Sequence, residues 1–447
     1  MARMASSSTL HFLLISLFCS FLLTSSSDSS QQSLTVSSSK SKPNLLVLPL
    51  QRDATTGLHW TNLHKRTPLT QIPVLVDLNG NHLWLNCEQH YNSKTYQAPF
   101  CHSTQCTRAN TQLCHTCTTS ASRPGCHNNT CGLMSANPIT QQTAMGELAQ
   151  DVLAIQYSTR QGSRLGPMAQ VPHFLFSCAP SSLMQKGLPN NVQGVAGLGH
   201  APISLPNQLS SYFGIQRQFT LCLSRSPASN GAILFGDAPT NIRREKQNLF
   251  RGLSYTPLTI TQKGEYHVHV SSIRINQNSV VPVPSSVLSS VSSSHPDRVL
   301  GGTMLSTTIP YTVLHHSIYQ ALAQVFAKQV PSQMQVKAVA PFGMCFDSKK
   351  MQQRGVAPPS VDFVMDREDV VWRMSGESLM VQAKPGVSCL GFVNGGLHPR
   401  AAIAIGSQQL EENLVVFDLA RSRLGFSTSM YSHEMKCSDL FNFDNAP

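Results

Sequence analysis

The sequence predicts an all-β protein of two lobes, rich in disulfides and carrying only a few short helices. Three observations predict this. Short β-branched or aromatic runs recur between clusters of Gly, Pro, Asn and Ser, as in Phe174-Leu175-Phe176, Ala232-Ile233-Leu234-Phe235 and Val415-Val416-Phe417. Such runs are the signature of short strands bounded by turns. Two distant segments repeat one design, an apolar run that delivers a polar residue into a tight polar turn: Val74-Leu75-Val76-Asp77-Leu78-Asn79-Gly80 and Thr303-Met304-Leu305-Ser306-Thr307-Thr308. Charged residues make up 12% of the 447-residue chain and hydrophobic residues 41%, which excludes a disordered or coiled-coil protein.

At the N-terminus, Arg3 precedes an apolar run over residues 10–23, and small residues follow at 24–27. This is the layout of a secretory signal, too short to span a bilayer comfortably. Residues 1–33 are therefore read as signal peptide and processed N-terminus. The mature chain is expected to be secreted and soluble, with no membrane anchor. Residues 28–42 are Ser/Gln-rich and expected to be disordered. Strand character begins at Leu45. The N-terminal lobe is assigned to 44–237 and the C-terminal lobe to 238–447. The clearest helical pattern, over 317–330, puts Ile318, Leu322, Val325 and Phe326 on one face. A Ser-rich loop at 284–299 lies just upstream of the second turn and reads as exposed to proteases. Cleavage is expected around His295, Pro296, Asp297 and Arg298.

Of 13 cysteines, Cys19 leaves with the signal. The rest are Cys87, Cys101, Cys106, Cys114, Cys117, Cys126, Cys131, Cys178, Cys222, Cys345, Cys389 and Cys437. An even number fits six disulfides formed in an oxidising compartment. Cys114-His115-Thr116-Cys117 has the two-residue gap of a zinc or redox site, but disulfides are the favoured reading in a secreted loop. The eight cysteines from Cys87 to Cys178 leave about a hundred pairings open. Counting constrains one bridge: a boundary near Asp237 leaves nine mature cysteines before it and three after it. Both numbers are odd, so at least one bridge crosses, with Cys222 to Cys437 the favoured pair. That bridge would hold the pieces together after a cut in the Ser-rich loop.

The formal charge of +11 comes without a long basic run. It reads as a solvated basic surface, not a nucleic-acid site. Seventeen histidines add positive charge below about pH 6. Any oligomer is then expected to dissociate by self-repulsion. The pairs His267/His269 and His315/His316 offer adventitious metal contacts only, so no metal or cofactor is expected. Asn128-Asn129-Thr130 is an N-glycosylation acceptor, with Asn128 as the modified residue.

A weak internal repeat supports two lobes. About a hundred residues after each turn comes a small or apolar pair and a glycine: Val195-Ala196-Gly197-Leu198-Gly199 and Ala404-Ile405-Gly406-Ser407. Glycine there permits close backbone approach.

Taken in order, the turn with Asp77 and Trp84, the segment 195–205, the turn with Ser306 and the segment 405–426 resemble a plant pepsin-type aspartic protease of the nepenthesin-like branch. The chain is more narrowly similar to the legume-seed gamma-conglutins, or basic 7S globulins, which are relatives of cereal xylanase inhibitors and extracellular dermal glycoproteins. The resemblance implies a bilobal pepsin-like fold with a cleft between lobes. It also implies what is missing. An aspartic protease needs two carboxylates sharing one proton. The family motif is Asp-Thr/Ser-Gly in each lobe. Here the first is Asp77-Leu78-Asn79 and the second Ser306-Thr307-Thr308, so Asp77 and Ser306 are vestigial positions and no catalytic residue is assigned. The flap region 135–148 has no tyrosine. Ser306 as a nucleophile with His315 or His316 lacks the Gly-x-Ser-x-Gly surround. Leu78 and Tyr311 are candidates to fill the old cleft. The resemblance implies an inactive seed storage or defence globulin, in the apoplast of seed tissue or a storage vacuole. The alternatives are an inhibitor of cell-wall-degrading glycosidases, which would bind a microbial xylanase or xyloglucan endoglucanase, and an active aspartic endopeptidase. A peptide ligand and pH-dependent self-association are the other partner expectations.

Overall fold

Each half delivers its turn by the same three-strand device. Strand Thr70–Asp77 runs parallel to Gly194–Gly197, with Asp77 opposite Gly197. Trp84–Asn86 then packs antiparallel on the other edge of Gly194–Gly197, with Trp84 opposite Val195. In the second half, Thr303–Leu305 runs parallel to Ile403–Ile405, with Leu305 opposite Ile405. Thr312–Leu314 lies antiparallel on the far edge. The glycine repeat seen in the sequence is thus the strand threaded between the two arms of each turn. This is a computed structural model, and it describes residues 43–88, 91–117, 122–158, 165–237, 252–288, 302–427 and 436–440.

The strands follow from their side-chain patterns. His59–Lys65 alternates buried and half-buried positions with period two, as a strand with one core-facing side must. Leu45–Arg52 is buried on both faces over its first four residues, because Leu46 and Leu48 pack in the main apolar cluster while Leu45 and Val47 face a second one with Leu234 and Leu440. Gly231–Gly236 pairs along one edge, and His59–Lys65 and the long strand Thr143–Ser158 along the other. Among the described residues, the order of strands gives one 14-stranded sheet and smaller sheets of six, four and four.

The large sheet crosses the expected lobe boundary. Gln218–Cys222 pairs antiparallel with Val415–Asp418, which continues to Arg423–Phe426 and Ser254–Pro257. Phe219 and Phe417 stack across this junction at 4.6 Å, and Tyr266 lies 4.9 Å from Phe417. One apolar cluster therefore runs through both halves.

The helix expected at 317–330 is His316–Lys328, with His315 as its N-cap. Ile318, Leu322 and Phe326 are fully buried, and Val325 is half-buried. Helix Leu205–Phe213 stops at Gly214, whose φ of 68° is a left-handed conformation that glycine adopts without strain.

Six disulfides are formed. Within the first half the pairs are Cys87–Cys178, Cys101–Cys114, Cys106–Cys131 and Cys117–Cys126. The second half holds Cys345–Cys389. Cys222 and Cys437, 215 residues apart in sequence, are joined with their Cα atoms 5.4 Å apart. Among the described residues no helix is long and apolar enough to cross a membrane. The expected signal segment and the expected cleavage residues His295, Pro296, Asp297 and Arg298 lie outside the described residues.

Candidate functional site

Asp77 ends its strand and enters a turn closed by a hydrogen bond from Gly80 N–H to its carbonyl, 3.2 Å. The N–H of Asn79 donates to Asp77 Oδ1 at 3.0 Å. Position 80 requires glycine: a Cβ there would lie 2.9 Å from the Cα of Gly197 and 3.0 Å from Asp77 Oδ2. In the second turn, Ser306 N–H donates to the carbonyl of Ile405 at 2.9 Å. Ser306 Oγ accepts from Thr308 N–H and lies 3.2 Å from Thr308 Oγ1.

The two turns face each other and are bonded together. Thr307 Oγ1 donates to the carbonyl of Val76 at 2.8 Å and accepts from Leu78 N–H at 2.9 Å. In return, Asn79 Nδ2 donates to the carbonyl of Leu305 at 2.8 Å, and its Oδ1 accepts from Tyr266 N–H at 3.1 Å. Asn79 stands where the family motif has glycine. In the sequence it counted as a loss, but the fold uses it as a clasp between halves. Leu78 is fully buried, and Tyr311 packs edge-on against Phe342 at 4.7 Å.

Asp77 is 8% exposed and Ser306 2%. Burial pushes the Asp77 carboxyl up to about 6, against the Asn79 N–H and the positive charge of Arg400, which pull it down. Glu265 is the other acid whose charge Asp77 feels, and it pushes the same way as burial. Glu265 is already committed. It pairs with the guanidinium of Arg400, and His267 Nε2 lies 3.7 Å from its carboxylate. His267 and Arg400 together hold Glu265 well below the usual carboxylate range, against the opposing effect of its burial. Among the described residues no hydrogen bond joins Asp77 to a second carboxylate. The site therefore holds one acid that keeps its proton up to about pH 6, one fixed anion, and hydroxyls where the second acid of a shared-proton pair would sit. Nothing in the sequence pointed to Glu265 and Arg400, which lie 135 residues apart. His267, one of the histidine pair that offers metal contacts in the sequence, faces this carboxylate.

The flap is a hairpin of Thr130–Ala136 and Thr143–Ser158, with Met134 opposite Met145. It is tied down. Trp84 Nε1 donates to the carbonyl of Ala136 at 3.0 Å, and His82 Nε2 lies 3.0 Å from Ser135 Oγ. The buried Asn137 amide donates to the carbonyls of Leu183 and Lys186.

The other candidates sit apart. His315 bonds Ser317 Oγ and the carbonyl of Leu397, and His316 bonds the Asn394 amide, so neither histidine is bonded to Ser306. Cys101, His102 and Cys114 bring potential ligand atoms together, but the two cysteines are spent in one disulfide. Cys114 and Cys117 belong to different bridges. Asn128 is exposed on a bend just ahead of strand Thr130–Ala136.

Two lobes meeting at paired turns, with an acid retained in only one of them, define a pepsin-like fold that keeps half of an acid pair. Comparison with known proteins places the chain. Residues 59–237 match the family model described as xylanase inhibitor N-terminal, and residues 265–428 match xylanase inhibitor C-terminal; the chain belongs to this family. It is 64% identical to "Basic 7S globulin" of Glycine max over 98% of this chain and 99% of that protein. The crystal structure of conglutin gamma, described as a unique basic 7S globulin from lupine seeds, is 59% identical with a TM-score of 0.83, covering 90% of this chain and all of that one. A protein of Nicotiana benthamiana named "Probable aspartic proteinase GIP2" is 41% identical over 98% of this chain and 99% of its own. An aspartic proteinase from Irpex lacteus shares the fold alone, at 14% identity and a TM-score of 0.55 over 87% of this chain and 98% of that one.

Proposed function

We propose that this chain is a proteolytically inert seed globulin, serving storage or defence and not peptide hydrolysis. The observation that supports the reading is the environment of Asp77: the opposing turn offers Ser306 and Thr308, and the nearby Glu265 is bound to Arg400. A hydroxyl cannot share the titrating proton of a carboxylate pair. Loss of general acid–base action alone costs about two to four powers of ten in rate. Incubation of the purified protein with denatured casein at acid pH should yield no pepstatin-sensitive cleavage. Cleavage that pepstatin blocks would sink the reading in favour of an active aspartic endopeptidase.

A second reading, inhibition of cell-wall-degrading glycosidases, draws on the family description. Titration against microbial xylanases and xyloglucan-specific endoglucanases separates the two. Inhibition of any of them makes the chain a binding protein with a glycosidase partner, and no inhibition leaves storage or defence. The same reading has the chain enter the secretory pathway through residues 1–33 for seed apoplast or storage vacuole, carry a glycan on the exposed Asn128 and be cut around His295–Arg298. The Cys222–Cys437 bridge then holds two pieces together. Two bands on a reducing gel and one on a non-reducing gel are expected from natural material. Any oligomer dissociates as the histidines charge, which sedimentation at neutral and acid pH measures.

A further inference from the structure

A cavity of about 400 Å³ opens beside the turn that carries Asn81 and His82, a size that accommodates one small organic molecule. Its apolar lining includes Leu133, Ile203, Leu113 and Met134. The first two are buried, whereas Leu113 is 45% and Met134 46% exposed, so apolar surface continues out to solvent.

The walls are preformed. On one side, Gly132 N–H donates to the carbonyl of Leu113 and Thr111 Oγ1 donates to the carbonyl of Gly132, both at 2.7 Å. The Cys106–Cys131 bridge staples the same loop. On the other side, the turn at 261–264 is closed by Gly264 N–H to the carbonyl of Thr261 at 2.9 Å, and His200 N–H donates to the carbonyl of Gly264 at 3.1 Å. Gly264 sits at φ +81°, a conformation that favours glycine.

The charge is one-sided. The lining contains no Asp or Glu; its titratable side chains are His82, His200 and Lys263. A guanidinium nitrogen of Arg217 lies 2.7 Å from His200 Nε2, which sets a permanent positive charge behind the ring. Lys263 is exposed and bonds no described residue. The nearest acid in sequence, Glu265, is paired with the guanidinium of Arg400, with His267 Nε2 at 3.7 Å and Thr261 Oγ1 at 3.5 Å.

We propose that this cavity binds a small amphipathic organic anion, a carboxylate or sulfonate on an aromatic or aliphatic body. The acid group lies at Lys263 and the Arg217–His200 pair, and the body packs on Leu133, Ile203 and Met134. Calorimetric titration of the whole protein with naphthylacetate tests this, with the uncharged naphthylacetamide as its neutral partner. Expected is one saturable site per chain, with affinity falling about tenfold or more for the amide, for Lys263→Glu and for Met134→Glu. Both substitutions are at exposed positions, so the fold should survive, and circular dichroism checks that it does. Equal binding of acid and amide, unchanged affinity in both variants, or no saturable binding would overturn the proposal.

Discussion

Asp77 retains a charge that the fold does not use, and its replacement by asparagine should stabilise the protein. In the folded chain its carboxyl is pushed up to about 6 from an ordinary value of 3.8, chiefly by burial. The sign follows from proton linkage. Between those two values the folded state binds more protons than the unfolded state, so Asp77 lends stability as pH falls from about 6 to 3.8 and withdraws it as pH rises. Above about pH 6 the buried carboxylate costs about 3 kcal/mol relative to an ordinary aspartate. Asn at this position keeps the shape and still accepts the Asn79 N–H through its carbonyl oxygen. Asp77→Asn should therefore gain about 2–3 kcal/mol near pH 7 and nearly nothing near pH 4. Guanidinium unfolding of both proteins at the two pH values measures the difference. A variant less stable at neutral pH, or one whose gain is the same at both, would refute the reasoning.

Buried histidine gives the opposite slope. Burial pushes His82 down to about 4, so stability is lost as pH falls from the ordinary 6.5 towards 4; His82→Gln should remove about 3 kcal/mol of that pH dependence, seen in the same unfolding series. Asn79→Ala deletes the clasp to Leu305 and Tyr266 and should cost about 1–3 kcal/mol, read as a lowered thermal midpoint at neutral pH. Glu147 is fully buried and accepts from the N–H groups of Gly125 and His127 and from Tyr96. Glu147→Ala strands these donors beneath the Cys117–Cys126 loop and should cost about 3 kcal/mol or more, with faster proteolysis around residues 117–126 as the local readout.

The strands, both turns and the principal helix were legible because each is a local statement. Alternation in His59–Lys65 and the i, i+4, i+8 spacing of Ile318, Leu322 and Phe326 are read within a dozen residues. The loss of the second acid was legible for the same reason, since Ser306 occupies the position where its own strand ends. The identity of Asn79 was visible too, but its effect was not, because its partners lie 187 and 226 residues away.

What the amino-acid order determined by itself is the set of short strands, the two matching turns with one carboxylate between them, and a cysteine count that is odd on each side of Asp237. Tertiary structure alone decided which cysteines meet, that Val415–Asp418 joins Gln218–Cys222 in one sheet, and that Arg400 and His267 close around Glu265 beside Asp77. The division has a physical cause: backbone preference and side-chain periodicity act over a few residues, whereas a charge or a hydrogen-bond donor finds its partner only where packing brings distant segments within a few ångströms.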